Sequence, residues 1–99
     1  MVQHDVMIKL KEMPAEEKEK NCRKLKEILE GLKKEIPQIK TIHVGINISP
    51  RPIAFDLISS STFETPEDLE SFRNHKAHLK AVDFINTIQE QSVLVDHII

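Results

Sequence analysis

His4, His75, His78 and Asp96 are residues of this chain whose types and placement suit moving a proton near neutral pH. An imidazole is both acid and base in that range, and a carboxylate that accepts a hydrogen bond from one ring nitrogen leaves the other free as a base. The segment Phe72-Arg73-Asn74-His75-Lys76-Ala77-His78 sets two histidines three residues apart where a helix breaks. Asp96 stands in the last apolar run and His4 in the first. The expected arrangement is Asp96 bonded to one nitrogen of His78, with His4 close by at the same end of a cleft. The same pair has a purely structural reading, in which it ties the last strand to the helix junction and His4 caps a neighbouring carbonyl.

The elements that must position these groups follow from periodicity. Val2 to Leu10 alternates, with Val2, His4, Val6, Ile8 and Leu10 on one side, which is the pattern of a strand with one apolar face. After Pro14, Cys22, Leu25, Ile28, Leu29, Leu32 and Ile36 recur at steps of three and four, predicting a long amphipathic helix that stops before Pro37. Ile39 to Ile48 alternates again, and Ser49-Pro50-Arg51-Pro52 ends that strand because proline removes ladder donors. Ala54 to Phe63 reads as a third strand. Thr65-Pro66-Glu67-Asp68 joins a capping hydroxyl, a proline and two acids, the sharpest helix start in the chain. That helix carries Leu69 and Phe72 inward and is interrupted near Asn74. A second piece, about His78 to Ile88, carries Leu79, Val82, Ile85 and Ile88, and Ser92 to Ile98 is a β-branched fourth strand.

Strand, helix, strand, strand, helix, strand favours an α+β, ferredoxin-like fold: a four-stranded antiparallel sheet with the helices on one face and the first and last strands adjacent. Strand alternation then turns His4, Ser59, Ser61, Ser92 and Asp96 towards the helices. The opposite face presents Met7, Ile58, Val93 and Val95 among Thr41, His43, Ser60, Thr62 and His97. Such a face predicts a homodimer joined through the sheet surface opposite the helices, a dimeric α/β barrel.

Composition narrows the function classes. Residues 1–99 form one domain with a small core, 39% hydrophobic. With 14 basic residues, 16 acidic ones and a net charge of -2, no basic surface for nucleic acid is expected. No apolar run reaches the roughly 20 residues of a membrane span, and the start Met1-Val2-Gln3-His4-Asp5 does not read as a signal peptide. Cys22 is the only cysteine and falls on a helix stripe, so a reducing, cytoplasmic location and a buried structural thiol are expected. Two histidines at a helix break without a third ligand predict no metal site, and no cofactor is expected. Ser59-Ser60-Ser61-Thr62 lacks the sharp turn and adjacent base of a nucleophile.

The chain resembles the stress-responsive dimeric alpha-beta barrel (Dabb) domain over nearly its whole length. Gln3-His4-Asp5-Val6-Met7-Ile8-Lys9-Leu10-Lys11 is similar to the family's opening strand, and Ile36-Pro37, Gly45, Phe55-Asp56-Leu57 and Phe63-Glu64 to its middle. Asn74-His75-Lys76-Ala77-His78, Phe84-Ile85 and Val95-Asp96 resemble its closing half, with Lys76 where the family commonly has proline. The resemblance implies a dimer and assigns no reaction to most members. A minority close polyketide rings with a histidine and an aspartate at the positions of His78 and Asp96, aided by tyrosines and a third-strand histidine. Phe72 and Leu57 stand at matching positions here and the chain has no tyrosine, so that activity does not carry over intact.

Two classes remain open on the sequence. One is a pocket between sheet and helices that takes a small apolar ligand with a polar handle or performs proton transfer on it through His78, Asp96 and His4. The other is a non-catalytic, stress-associated or structural dimer. A pocket of about 300 Å³ or more beside His78 favours the first, and a filled gap the second.

Overall fold

The computed structural model describes residues 1–99. Its elements are β1 (Val2–Leu10), α1 (Ala15–Glu35), β2 (Thr41–Ile46), β3 (Leu57–Phe63), α2 (Pro66–Asn74), α3 (Lys76–Ile88) and β4 (Gln89–Ile98). The strands form one antiparallel sheet in the order β2-β3-β1-β4, so the terminal strands are neighbours as the sequence predicts. β2 and β3 are shorter than their apolar runs, because Asn47 to Asp56 forms the proline-bearing turn. β4 begins earlier than expected: it leaves α3 directly at Gln89, and the Lys11 N–H closes the corner on the Ile88 carbonyl at 2.8 Å.

Alternation sorts the strands as expected. Val2, Ile8 and Leu10 of β1, Val44 of β2 and Leu57 and Phe63 of β3 are buried with Cys22, Leu25, Leu29 and Leu32 of α1 and Leu69 and Phe72 of α2. Thr65 caps α2 as its composition predicts, its hydroxyl accepting from the Asp68 N–H at 3.1 Å. Two predicted inward residues are not buried: Leu79 of α3 and Leu94 of β4 are each half exposed, and β4 is exposed along almost its whole length. Starting α3 at Lys76 sets its buried stripe on Ala81 and Ile88, and Leu79 falls outside that stripe. Cys22 is buried, and burial first, then Asp56, raises its thiol pKa, as suits a structural residue.

The β2 edge is closed by α1. Glu30 accepts from the Val44 N–H at 2.9 Å and Lys26 donates to the Val44 carbonyl, satisfying two outward backbone groups that would otherwise template another strand. The Val44 N–H, followed by Lys26, holds the Glu30 carboxyl below its ordinary range against the opposing effect of burial.

Leu25 is fully buried in α1, so Leu25→Ala should lower the unfolding free energy by ~2–5 kcal/mol. Thr65→Ala should cost about 1 kcal/mol through the lost cap. Urea denaturation measures both, and equal losses would contradict the distinction between core and cap.

Candidate functional site

β1 and β4 pair so that His4 lies opposite Asp96, Val6 opposite Leu94 and Ile8 opposite Ser92. These are helix-facing positions, and directly opposed residues have Cβ atoms about 4.5–5.5 Å apart. His4 is 8% exposed, and its Nδ1–H donates to Asp96 Oδ1 in a short contact. The other carboxylate oxygen accepts from Arg73 Nη2 at 2.8 Å. Asp96 therefore sits between an imidazole and a guanidinium, with its side chain 26% exposed.

The expected His78–Asp96 bond is not formed. His4 takes the facing carboxylate oxygen by strand register, Arg73 takes the second, and His78 Nδ1 lies 3.0 Å from the Arg73 carbonyl. A carbonyl only accepts, so His78 carries its proton on Nδ1 and leaves Nε2 without a protein partner. Phe72 stands between the two histidines. Its ring centroid is 4.3 Å from that of His78 and 6.0 Å from that of His4, with Phe63 behind it at 5.1 Å.

Burial is the largest influence on His78 and pushes its pKa below the ordinary 6.5; the Arg73 carbonyl opposes this, while the charges of His4 and Arg73 add to it. The neutral imidazole is the favoured form. His75 occupies the junction rather than the site: its Nδ1 accepts from the Ala77 N–H at 3.0 Å and caps α3.

A cavity of about 200 Å³ opens between sheet and helices beside these groups. Its polar lining includes His4, Arg73, His78 and Ser59, and its apolar lining includes Val6, Ile8, Leu29, Val82, Ile85 and Leu94. The volume lies below the expected 300 Å³, yet the gap is not filled. It equals about seven waters at roughly 30 Å³ each, the scale of a small molecule rather than a drug-sized one. Ser61 faces the helices but does not line the cavity, and its buried hydroxyl has no partner. Sequence reasoning missed Arg73. Its signal was available, as the basic residue in the last turn of α2 next to inward-facing Phe72.

On the opposite face Asp5 accepts from Gln3 and, at 2.9 Å, from His97. Burial raises the Asp5 pKa, but hydrogen bonds from Ser60, His97 and Gln3 outweigh it and hold the carboxyl below its usual value. No group of three or more histidine, cysteine, aspartate or glutamate side chains converges as a metal site would require, and no helix is long and apolar enough to cross a membrane.

The model of the stress responsive A/B barrel domain matches residues 2–99. The chain belongs to that family. Among solved structures, a dimeric, ferredoxin-like protein of unknown function from Bacteroides fragilis is 29% identical, with a TM-score of 0.91 over 99% of this chain and 95% of that one. A protein of Arabidopsis thaliana is 22% identical at a TM-score of 0.83, covering 100% of this chain and 95% of its own. The hydroxynitrile lyase of Passiflora edulis is 20% identical at a TM-score of 0.80, covering 99% and 92%. At these last two identities the likeness is one of fold. No curated protein matches the chain. This Dabb domain thus has the ferredoxin-like architecture its sequence predicts.

Because the folded state binds a proton at His78 less readily than the unfolded chain does, acidification favours unfolding. Its contribution is present above the unfolded pKa of about 6.5 and is lost as pH falls from there through the lowered folded value. Thermal unfolding between pH 7.5 and 5 should show this loss in the wild type, and His78→Gln should flatten it. An unchanged slope in the variant would mean that His78 is not held neutral.

Proposed function

We propose that this domain is a homodimer that binds a small, largely apolar molecule in the cavity between sheet and helices and draws a proton from it with His78. The observation that carries the reading is an imidazole on the wall of a mostly apolar cavity, its Nδ1 committed to a backbone carbonyl and its Nε2 unpartnered. A buried base with a lowered pKa holds a proton weakly and returns it readily, which suits a transfer step at neutral pH. His4 and Asp96 supply the second proton site. Arg73 and His4 each hold one carboxylate oxygen of Asp96, and Asp96 in turn sets the His4 tautomer. The ligand's polar handle is a hydroxyl or another acidic hydrogen, because an unpartnered Nε2 lone pair needs a donor. The hydroxynitrile lyase neighbour supports only the point that this fold accommodates catalysis.

The homodimer reading rests on the outer sheet face. Met7, Ile58, Val93 and Val95 are exposed there, Val95 at 62%, and the Bacteroides fragilis neighbour and others from Thermobifida fusca and Jannaschia are described as dimeric. The cavity of about 200 Å³ beside His78 lies between a filled gap and the roughly 300 Å³ of a clear ligand site, and its mostly apolar lining with a few polar groups supports the ligand-binding reading.

Sedimentation at micromolar concentration should return twice 11.4 kDa. Val95→Asp should dissociate the dimer or unfold it, since an unpaired buried charge costs ~3–5 kcal/mol; a native wild-type monomer would overturn the assembly. For the site, phenol serves as a probe of the right size with one hydroxyl. Titration followed by the imidazole resonances should perturb His78 and His4. In His78→Ala the affinity should fall about tenfold, the order of one lost hydrogen bond at ~1.4 kcal/mol, with the fold retained. Phenol that leaves His78 unperturbed would refute the assignment.

A further inference from the structure

Between α2 and α3 the chain breaks at His75, whose φ of -68° and ψ of 137° are extended rather than helical. In an unbroken helix the Arg73 carbonyl would accept from the Ala77 N–H, four residues on. Here the two groups are separated. The Ala77 N–H points to the His75 ring, donating to Nδ1 at 3.0 Å, and the Arg73 carbonyl accepts instead from His78 Nδ1 at 3.0 Å. His75 also begins α3 through its own backbone, its carbonyl accepting from the Leu79 N–H at 3.0 Å.

We infer that His75 is a positioning residue for His78: by taking the Ala77 N–H on its ring it keeps the Arg73 carbonyl open to the His78 ring and so fixes the tautomer that frees Nε2. The exchange is specific in its chemistry. A helix N-terminus has donors to satisfy, and an acceptor at the cap position meets that need. Without such an acceptor, the Ala77 N–H has the Arg73 carbonyl as its nearest helical partner. Were that bond to form, the backbone would have to close the extended break at His75, which would move the Arg73 carbonyl from its place beside the His78 ring, and an imidazole without a fixed partner populates both tautomers. The His75 ring does not line the cavity and makes no bond to the His4–Asp96 pair, so its ring acts on the site through the turn that seats His78. The importance of the tautomer rests on the reading of His78 as the proton acceptor, while the positioning itself does not.

The test uses the whole chain and ring-nitrogen magnetic resonance, which distinguishes protonated from unprotonated nitrogens directly. The wild type should show His78 protonated at Nδ1. His75→Ala removes the acceptor and should convert His78 to a mixture of tautomers and weaken phenol binding severalfold. His75→Ser and His75→Asp restore a capping acceptor, and should restore both the single tautomer and the affinity. If His75→Ala lowers only the melting temperature and leaves His78 protonated at Nδ1, the inference fails. It fails equally if Ser and Asp disturb the tautomer as much as Ala does. A tautomer that changes while phenol affinity stays constant would support the positioning role and overturn the ligand-binding reading of His78.

Discussion

Antiparallel pairing of the first strand with the last is the constraint on which the rest of this molecule depends. β1 is an interior strand, hydrogen-bonded to β3 on one side and β4 on the other, so its register fixes which residues of three strands stand in a row. Side chains alternate with a period of two, and a slip of one residue would turn His4 to the outer face and leave Asp96 facing a different residue. The apolar pattern forbids that slip, because it would also expose Ile8 and Leu10, both almost wholly buried. Core packing thus sets the geometry of the polar pair. The bond between His4 and Asp96 is a consequence of hydrophobic register before it is a piece of chemistry.

Desolvation decides how the two histidines differ. Both are close to Phe72, but only His4 faces a carboxylate. His78 has a backbone carbonyl, a weaker partner for a cation, and burial prevails over it. One fold thereby holds two imidazoles with different hydrogen-bond partners, both against the ring of Phe72. The mutual effect of His4 on His78 runs the same way, since a charge on one disfavours a charge on the other.

The fold was legible because its signals are local and agree with one another. Alternation in β1, the three-four stripe of α1, the prolines at 50 and 52 and the Thr65 cap each specify an element without knowledge of the others. That His4 and Asp96 share the helix-facing side of neighbouring strands, and that His78 lies at the helix junction, was legible for the same reason. Their pairing was not. The partner of Asp96 depends on strand register against the reach of a helix side chain, and alternation states only which face a residue occupies. A basic residue near a helix C-terminus, as Arg73 is in α2, has a sufficient local role in the helix dipole and so does not by itself point to a site. Its contact with Asp96 joins residues 73 and 96 across two elements whose spacing no local pattern encodes.

The outer sheet face shows how one surface can be apolar enough to be covered and still carry charge. Asp5 is central to it, and a carboxylate left without donors under a second layer would be costly. Gln3 and His97, both from the terminal strands, together with Ser60, supply those donors from within the chain. The alternation that places His4 opposite Asp96 on the inner face places Gln3 opposite His97 and Asp5 opposite Val95 on the outer one. A partner surface meeting Met7, Ile58 and Val95 would need to bring no counter-charge for Asp5, because its hydrogen bonds are already made. Shape and apolar area are then what such a partner must match, and a second copy of the same face carries both.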